Sequence, residues 1–158
     1  MIESDGARTM RAFYEGFSHG DAAAMNACYA ADVSFEDPVF GKLAGDRPRA
    51  MWTMLCGTLR DFSLTYEILR ADDLSGEARW IATYTYTSTG RRVCNHVHST
   101  FAFRDGKIVC QIDTFDLWRW SAQALGPLGT LLGWSPIVRR RIRTTAADRL
   151  AKFEGVAR

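Results

Sequence analysis

The stretch AFYEGFSHGDAAAMNACYAADVSFEDPVFG, residues 12–41, changes its periodicity twice and so sets the order of the first elements. Met10, Phe13, Tyr14 and Phe17 follow the i, i+3, i+4, i+7 spacing of one apolar helix face and predict a first helix that ends at Gly20. Asp21 has the side chain of an N-cap. The alanine-rich AAAMNACYAA after it favours a second helix, with Met25, Cys28 and Tyr29 on its buried side. VSFEDP then reads as a short strand stopped by Pro38, which has no N–H for a ladder. Gly41 and Gly45 mark an irregular crossing. Asp46 followed by Pro48 predicts a third helix, with Met51, Trp52, Leu55 and Leu59 as its apolar stripe.

Beyond residue 60 the period becomes two. Phe62, Leu64, Tyr66 and Ile68 alternate with polar residues, as do Trp80, Ala82, Tyr84 and Tyr86, then Val97, Ser99, Phe101 and Phe103. Thr89-Gly90 and Asp105-Gly106 stand where hairpin turns belong. Lys107 to Trp118 closes the sheet. The expected class is α+β: helices first, then an antiparallel meander with one face buried. Residues 119–134 mix a short helix with Gly126, Pro127, Gly129 and Gly133. Ser135-Pro136 opens a last helix, with Val138, Ile142, Ala146, Leu150 and Phe153 on one side and six arginines and lysines over much of the rest. A body over residues 1–125 and a helical extension over 126–158 follow from this division.

Bulk properties narrow the function classes. At 47% hydrophobic and 24% charged, the 158 residues can bury one core and lack the signature of disorder. Residues 1–135 carry 13 basic against 16 acidic side chains, whereas 136–158 carry 7 against 2, so the basic charge is concentrated in the tail. No stretch approaches the ~18 apolar residues of a membrane span, and the N-terminus lacks the apolar run of a signal peptide. Cys28, Cys56, Cys94 and Cys110 are scattered without a C-x-x-C, which argues against a disulfide framework or zinc site and points to the cytoplasm.

The element order and two motifs resemble the nuclear transport factor 2-like superfamily. Residues 12–41 resemble the opening of ketosteroid isomerases: an aromatic-bearing helix, a Gly-Asp junction, Tyr-Ala-x-Asp and a strand reading E-D-P. FAFRDGKIVCQIDTFDLWRW, residues 101–120, resembles the closing strand of limonene-epoxide-hydrolase-like and SnoaL-like, polyketide-cyclase-like members. The resemblance covers roughly residues 7–125 and implies a cone-shaped fold around a deep pocket. It also implies a homodimer, to which an exposed face with Ile81, Ile112 and Trp118 is suited.

The resemblance puts a proton-shuttling carboxylate at Asp37, a residue that by itself reads first as the cap of a turn before Pro38. Asp113 is singled out by alternation, which sets it with Val109, Gln111 and Phe115 on the buried face, near Val97, Asn95 and Ser99. A carboxylate there is costly unless hydrogen-bonded or functional, and the resemblance places a catalytic acid at this position. Tyr14 matches the helix-one tyrosine that donates to a developing oxyanion if one residue is dropped before Asp21; otherwise Phe13 takes its place. Two departures stand out. Ser99 occupies the place of a stronger second donor, and Trp80 and Ala82 replace the Arg-x-Asp pair of epoxide hydrolases.

Phe17, Phe35, Trp52, Trp80, Tyr84, Val97 and Phe115 are expected to wall the pocket, with Asn95 and Ser99 as its polar members. His96 and His98 form H-x-H, but their parity turns them away from this face and no third metal ligand is near. The expected protein is therefore a small-molecule enzyme that uses carboxylate acid–base chemistry on an apolar steroid- or polyketide-like carbonyl compound, without a metal or organic cofactor. The competing expectation is a non-catalytic module that holds an apolar ligand or a protein. No nucleic-acid partner is expected. The basic tail is expected to pack on the body or a second subunit, with weak membrane-surface contact as the other outcome.

Overall fold

The structure, a computed structural model, describes residues 2–156. The first helix, α1 (Asp5–Ser18), starts where the Ser4 side chain accepts from Ala7 N and buries the predicted stripe of Met10, Phe13, Tyr14 and Phe17. Asp21 caps α2 as expected, but α2 (Ala22–Asn26) is only five residues long. Tyr29 is not helical; it opens β1 (Tyr29–Asp37). Parallel pairing with the last strand, Tyr29 opposite Ile108 and Ser34 opposite Cys110, overrides the helix preference of the alanines. Three extra residues bulge between those pairs. Arg49 Nη2 donates to the carbonyls of Tyr29 and Ala30 at 3.0 and 2.8 Å, satisfying groups that the disrupted ladder would orphan.

The predicted irregular crossing is instead β2 (Gly41–Ala44), an antiparallel partner of β1. Gly41 and Gly45 flank it with φ of 65°, a region that favours glycine. Then come α3 (Arg47–Gly57), β3 (Ser63–Ala71), β4 (Ser75–Tyr86), β5 (Arg91–Arg104) and β6 (Lys107–Thr114). The six strands form one sheet in the order β2-β1-β6-β5-β4-β3, antiparallel except for β1 against β6. The protein is thus α+β, with a curved mixed sheet and helices packed on one face. The core between them is unusually aromatic: Phe13 lies within 6.2 Å of the ring centroids of Tyr14, Tyr29, Trp52 and Phe101.

The sheet ends earlier than the sequence suggests. Asp116 caps α4 (Leu117–Leu125), so Trp118 lies on a helix and not on the sheet face with Ile112. Next, α5 (Pro127–Leu132) folds tightly against α4. A Cβ on Gly129 would sit 1.9 Å from the Ser121 carbonyl oxygen, so only glycine permits this approach. The final helix, α6 (Pro136–Val156), returns across the body. Leu150 anchors it, fully buried. Arg143 donates to Pro38 O at 2.9 Å, Arg47 pairs with Glu154 at 3.2 Å, and Arg149 reaches Ser88 Oγ. No helix among the described residues is long and apolar enough to cross a membrane.

Candidate active site

A cavity of about 1010 Å³ opens between the inner face of the sheet, α3 and α6. Its two acids come from different strands. Asp37 is the last residue of β1, and its Oδ1 accepts from Val39 N at 2.8 Å and Phe40 N at 2.5 Å. The turn-capping role is therefore real, yet it occupies only one oxygen. Burial pushes the Asp37 carboxyl up to about 6, against the opposing pull of those two N–H groups.

Asp113 lies on β6, directly opposite Ser99 on β5. Pairing through the Asp105-Gly106 turn predicts Asp113 near Val97, beside Asn95 and Ser99. An unbroken register from Arg104 opposite Lys107 would set His98 across from it; a bulge between Ala102 and Phe103 shifts the register by one residue and brings Ser99 there instead. Asp113 is 3% exposed. Its Oδ1 accepts from Ser99 Oγ at 2.6 Å and Gln111 Nε2 at 3.1 Å. Each donor is itself held: Trp80 Nε1 donates to Ser99 Oγ at 2.7 Å, and Tyr29 Oη to Gln111 Oε1 at 2.7 Å. Trp52 Nε1 then donates to Tyr29 Oη at 2.7 Å. Burial nevertheless dominates and raises the Asp113 carboxyl to about 7, with the charge of Asp37 adding to the rise. In both acids Oδ2 takes no hydrogen bond from the described residues, while the residue itself lines the cavity.

Nine of the sequence-derived candidates line this cavity: Asp37 and Asp113, Phe17, Trp52, Trp80, Tyr84, Asn95, Val97 and Phe115. Three do not. Phe35 is 2% exposed and packs edge-on against Trp52, in the core behind the wall. Ser99 is fully buried and gives its proton to Asp113, leaving none for a ligand. Tyr14 is buried behind it, stacked on Tyr66 at 4.9 Å. Its hydroxyl has no well-formed hydrogen bond among the described residues, and burial, then the charge of Asp113, hold its pKa well above the usual tyrosine value against the opposing pull of the nearby Ser99. Tyr14 is thus close enough to sense Asp113 but is not on the cavity wall.

Sequence reasoning missed Tyr29, which it placed on a helix, and gave Gln111 no role. The signal for Gln111 was present, since it shares the buried phase of β6 with Asp113. Also missed was the outer wall: Val138, Ile142, Ala146 and Phe153 of the predicted α6 stripe face the cavity, not only the body. His96 is exposed and His98 Nε2 lies 2.6 Å from Glu77 Oε1, both off the cavity. No cluster of three metal-ligating side chains occurs among the described residues.

The profile of the SnoaL-like domain family matches residues 10–111. No curated protein is detectably similar. Among solved structures, a polyketide cyclase candidate from Silicibacter sp. TM1040 superposes with a TM-score of 0.67 at 21% identity, over 78% of this chain and 98% of its own. A protein from Catenulispora acidiphila with a ketosteroid isomerase-like fold, in complex with trimethylamine, gives 0.65 at 16% identity over 77% and 95%. An epoxide hydrolase of the LEH-like type from M. tuberculosis gives 0.61 at 22% identity over 83% and 97%. At these identities the likeness is one of fold.

Proposed function

We propose that this chain, which belongs to the SnoaL-like domain family, is a small-molecule enzyme working by carboxylate acid–base chemistry on an apolar carbonyl compound of steroid or polyketide type. One observation carries the reading: Asp37 and Asp113 line the same largely apolar cavity, each with one carboxylate oxygen that takes no donor from the described residues. Burial raises both carboxyls, to about 6 and about 7, into the range useful for proton transfer near neutral pH.

In this scheme Asp37 serves as base and Asp113 as its protonated partner. Its Oδ2 takes a proton from the carbon next to the substrate carbonyl. The C–H electron pair becomes a C=C bond, and the carbonyl π pair moves onto oxygen. Protonated Asp113 donates to that oxygen, and Asn95 on the wall offers a second donor. Return of the proton from Asp37 to a different carbon isomerises a double bond. Alternatively, the enolate carbon attacks a second carbonyl of the same molecule: the first C=O re-forms, the π pair of the second moves onto its oxygen, and that oxygen takes the proton held by Asp37, which closes a ring. The aromatic wall favours a flat, apolar substrate.

Turnover of a Δ5-3-ketosteroid and of a hydroxylated linear polyketide by wild type, Asp37→Asn and Asp113→Asn tests this. Equal rates in all three proteins would remove both acids from the mechanism. The retreat of Tyr14 and Ser99 from the wall favours a second reading, a binding module for an apolar molecule. Native mass spectrometry showing a retained ligand, together with no turnover, would select it. We also propose a homodimer using the exposed Ile112 side of the sheet; a monomer mass by light scattering at micromolar concentration would contradict it.

A further inference from the structure

The charged residues on the cavity wall are segregated. Both acids, Asp37 and Asp113, come from the sheet; all three bases, Arg141, Arg149 and Lys152, come from α6. The remaining wall residues are apolar or neutral. The two acidic side chains of α6 are not on this wall, and Glu154 is taken by Arg47. Arg141 and Lys152 form no ion pair among the described residues. Arg149 spends one nitrogen on the neutral Ser88 hydroxyl and stands 6.0 Å from the centre of the Tyr86 ring, which leaves its other N–H groups free.

Arg139 and Arg143, on the other side of α6, each give Nε–H to a carbonyl, of Gly133 and of Pro38, and do not line the cavity. Bases without counter-charges beside an apolar volume repel one another and favour an anion. Arg149 and Lys152 are one turn apart, about 4.5 Å along the axis, close enough for both long side chains to reach one carboxylate. Arg141, on the same side of the helix, adds to the field.

We infer that the ligand is an amphiphilic acid: an apolar body lying between the sheet and α6, with an anionic group seated on Arg149 and Lys152. The inference rests on the cavity being the ligand site, as proposed above. It also sets the direction of binding. The ionised carboxylate of Asp37 on the floor repels the anion, so the neutral, reactive end of the molecule meets Asp37 and Asp113 while the charged end stays at α6.

The test compares 11-(dansylamino)undecanoic acid with its methyl ester, followed by dansyl fluorescence on the full chain. Wild type should bind the acid about tenfold more tightly than the ester, as expected for a charge-assisted contact. Lys152→Gln should cut that ratio to about threefold, and Arg149→Gln/Lys152→Gln should bring it to about one, with ester affinity retained. An acid-to-ester ratio near one in wild type, or a ratio unchanged in the variants, overturns the inference but leaves the cavity reading intact. Failure of both probes to bind wild type overturns the two together. If the double variant loses the ester as well, Lys152→Gln alone decides, and an unchanged ratio there overturns the seat.

Discussion

The floor and the outer wall of the cavity are built by opposite means. On the floor, Trp52, Tyr29, Gln111, Asp113, Ser99 and Trp80 form one connected set of buried side-chain hydrogen bonds, none longer than 3.1 Å. Removing any member leaves a partner unsatisfied in a place water reaches poorly, so the geometry is strongly enforced. The outer wall is a single helix held by one fully buried leucine and by exposed polar contacts that are individually weak. Chemistry that needs fixed positions belongs on the floor, and recognition that needs access belongs on the wall. Floor substitutions should therefore act on kcat, and wall substitutions on KM.

The largest expected effect breaks the floor itself. Asp113→Asn and Asp37→Asn should each lower kcat by about 10²–10⁴-fold with little change in KM, as for loss of a general acid or base. A change confined to KM in either variant would contradict the division. Leu150→Ala tests the wall. Emptying this buried site should cost about 2–5 kcal/mol of whatever stability α6 shares with the body. Protease cleavage within α6 should speed up while the dichroism of the sheet persists. Joint melting of sheet and helix at a much lower temperature would show the two regions to be one cooperative unit.

The pH dependence sharpens the comparison. Both acids have folded-state values raised above the ordinary carboxylate range, to about 6 and about 7. The folded protein thus binds protons more tightly than the unfolded chain. Stability contributed by these groups is complete below about pH 4, where both states are protonated, and declines until pH passes about 7. Urea titrations should find Asp113→Asn less sensitive than wild type across this interval. The kcat/KM profile should be bell-shaped, rising through about 6 as Asp37 ionises and falling past about 7 as Asp113 does. Ser99→Ala removes a donor that favours ionised Asp113 and should move the upper limb to higher pH. The smallest effect belongs to the wall. Arg143→Ala loses one exposed bond to Pro38 O and should change stability by about 1 kcal/mol or less.

The amino-acid order alone determined what depends on local period and local chemistry. The stripe of α1, the Asp21 cap, the two hairpin turns, the buried phase of Asp113 and most of the aromatic wall could be read directly, because helix and strand repeats are properties of neighbouring residues. Tertiary structure decided what depends on distant partners. Tyr29 became a strand residue because Ile108 was there to pair with it. One bulge on β5–β6 set Ser99, not the His98 of an unbroken register, opposite Asp113 and thereby turned an expected substrate donor into a support for the acid. Tyr14 and Phe35 have the right phase to face inward, but only packing decides which inward residues meet the cavity and which fill the core behind it. The stripe of α6 was visible in the sequence, and its partner was not. A helix face records that it must be covered, whereas what covers it follows from where the rest of the chain has already folded.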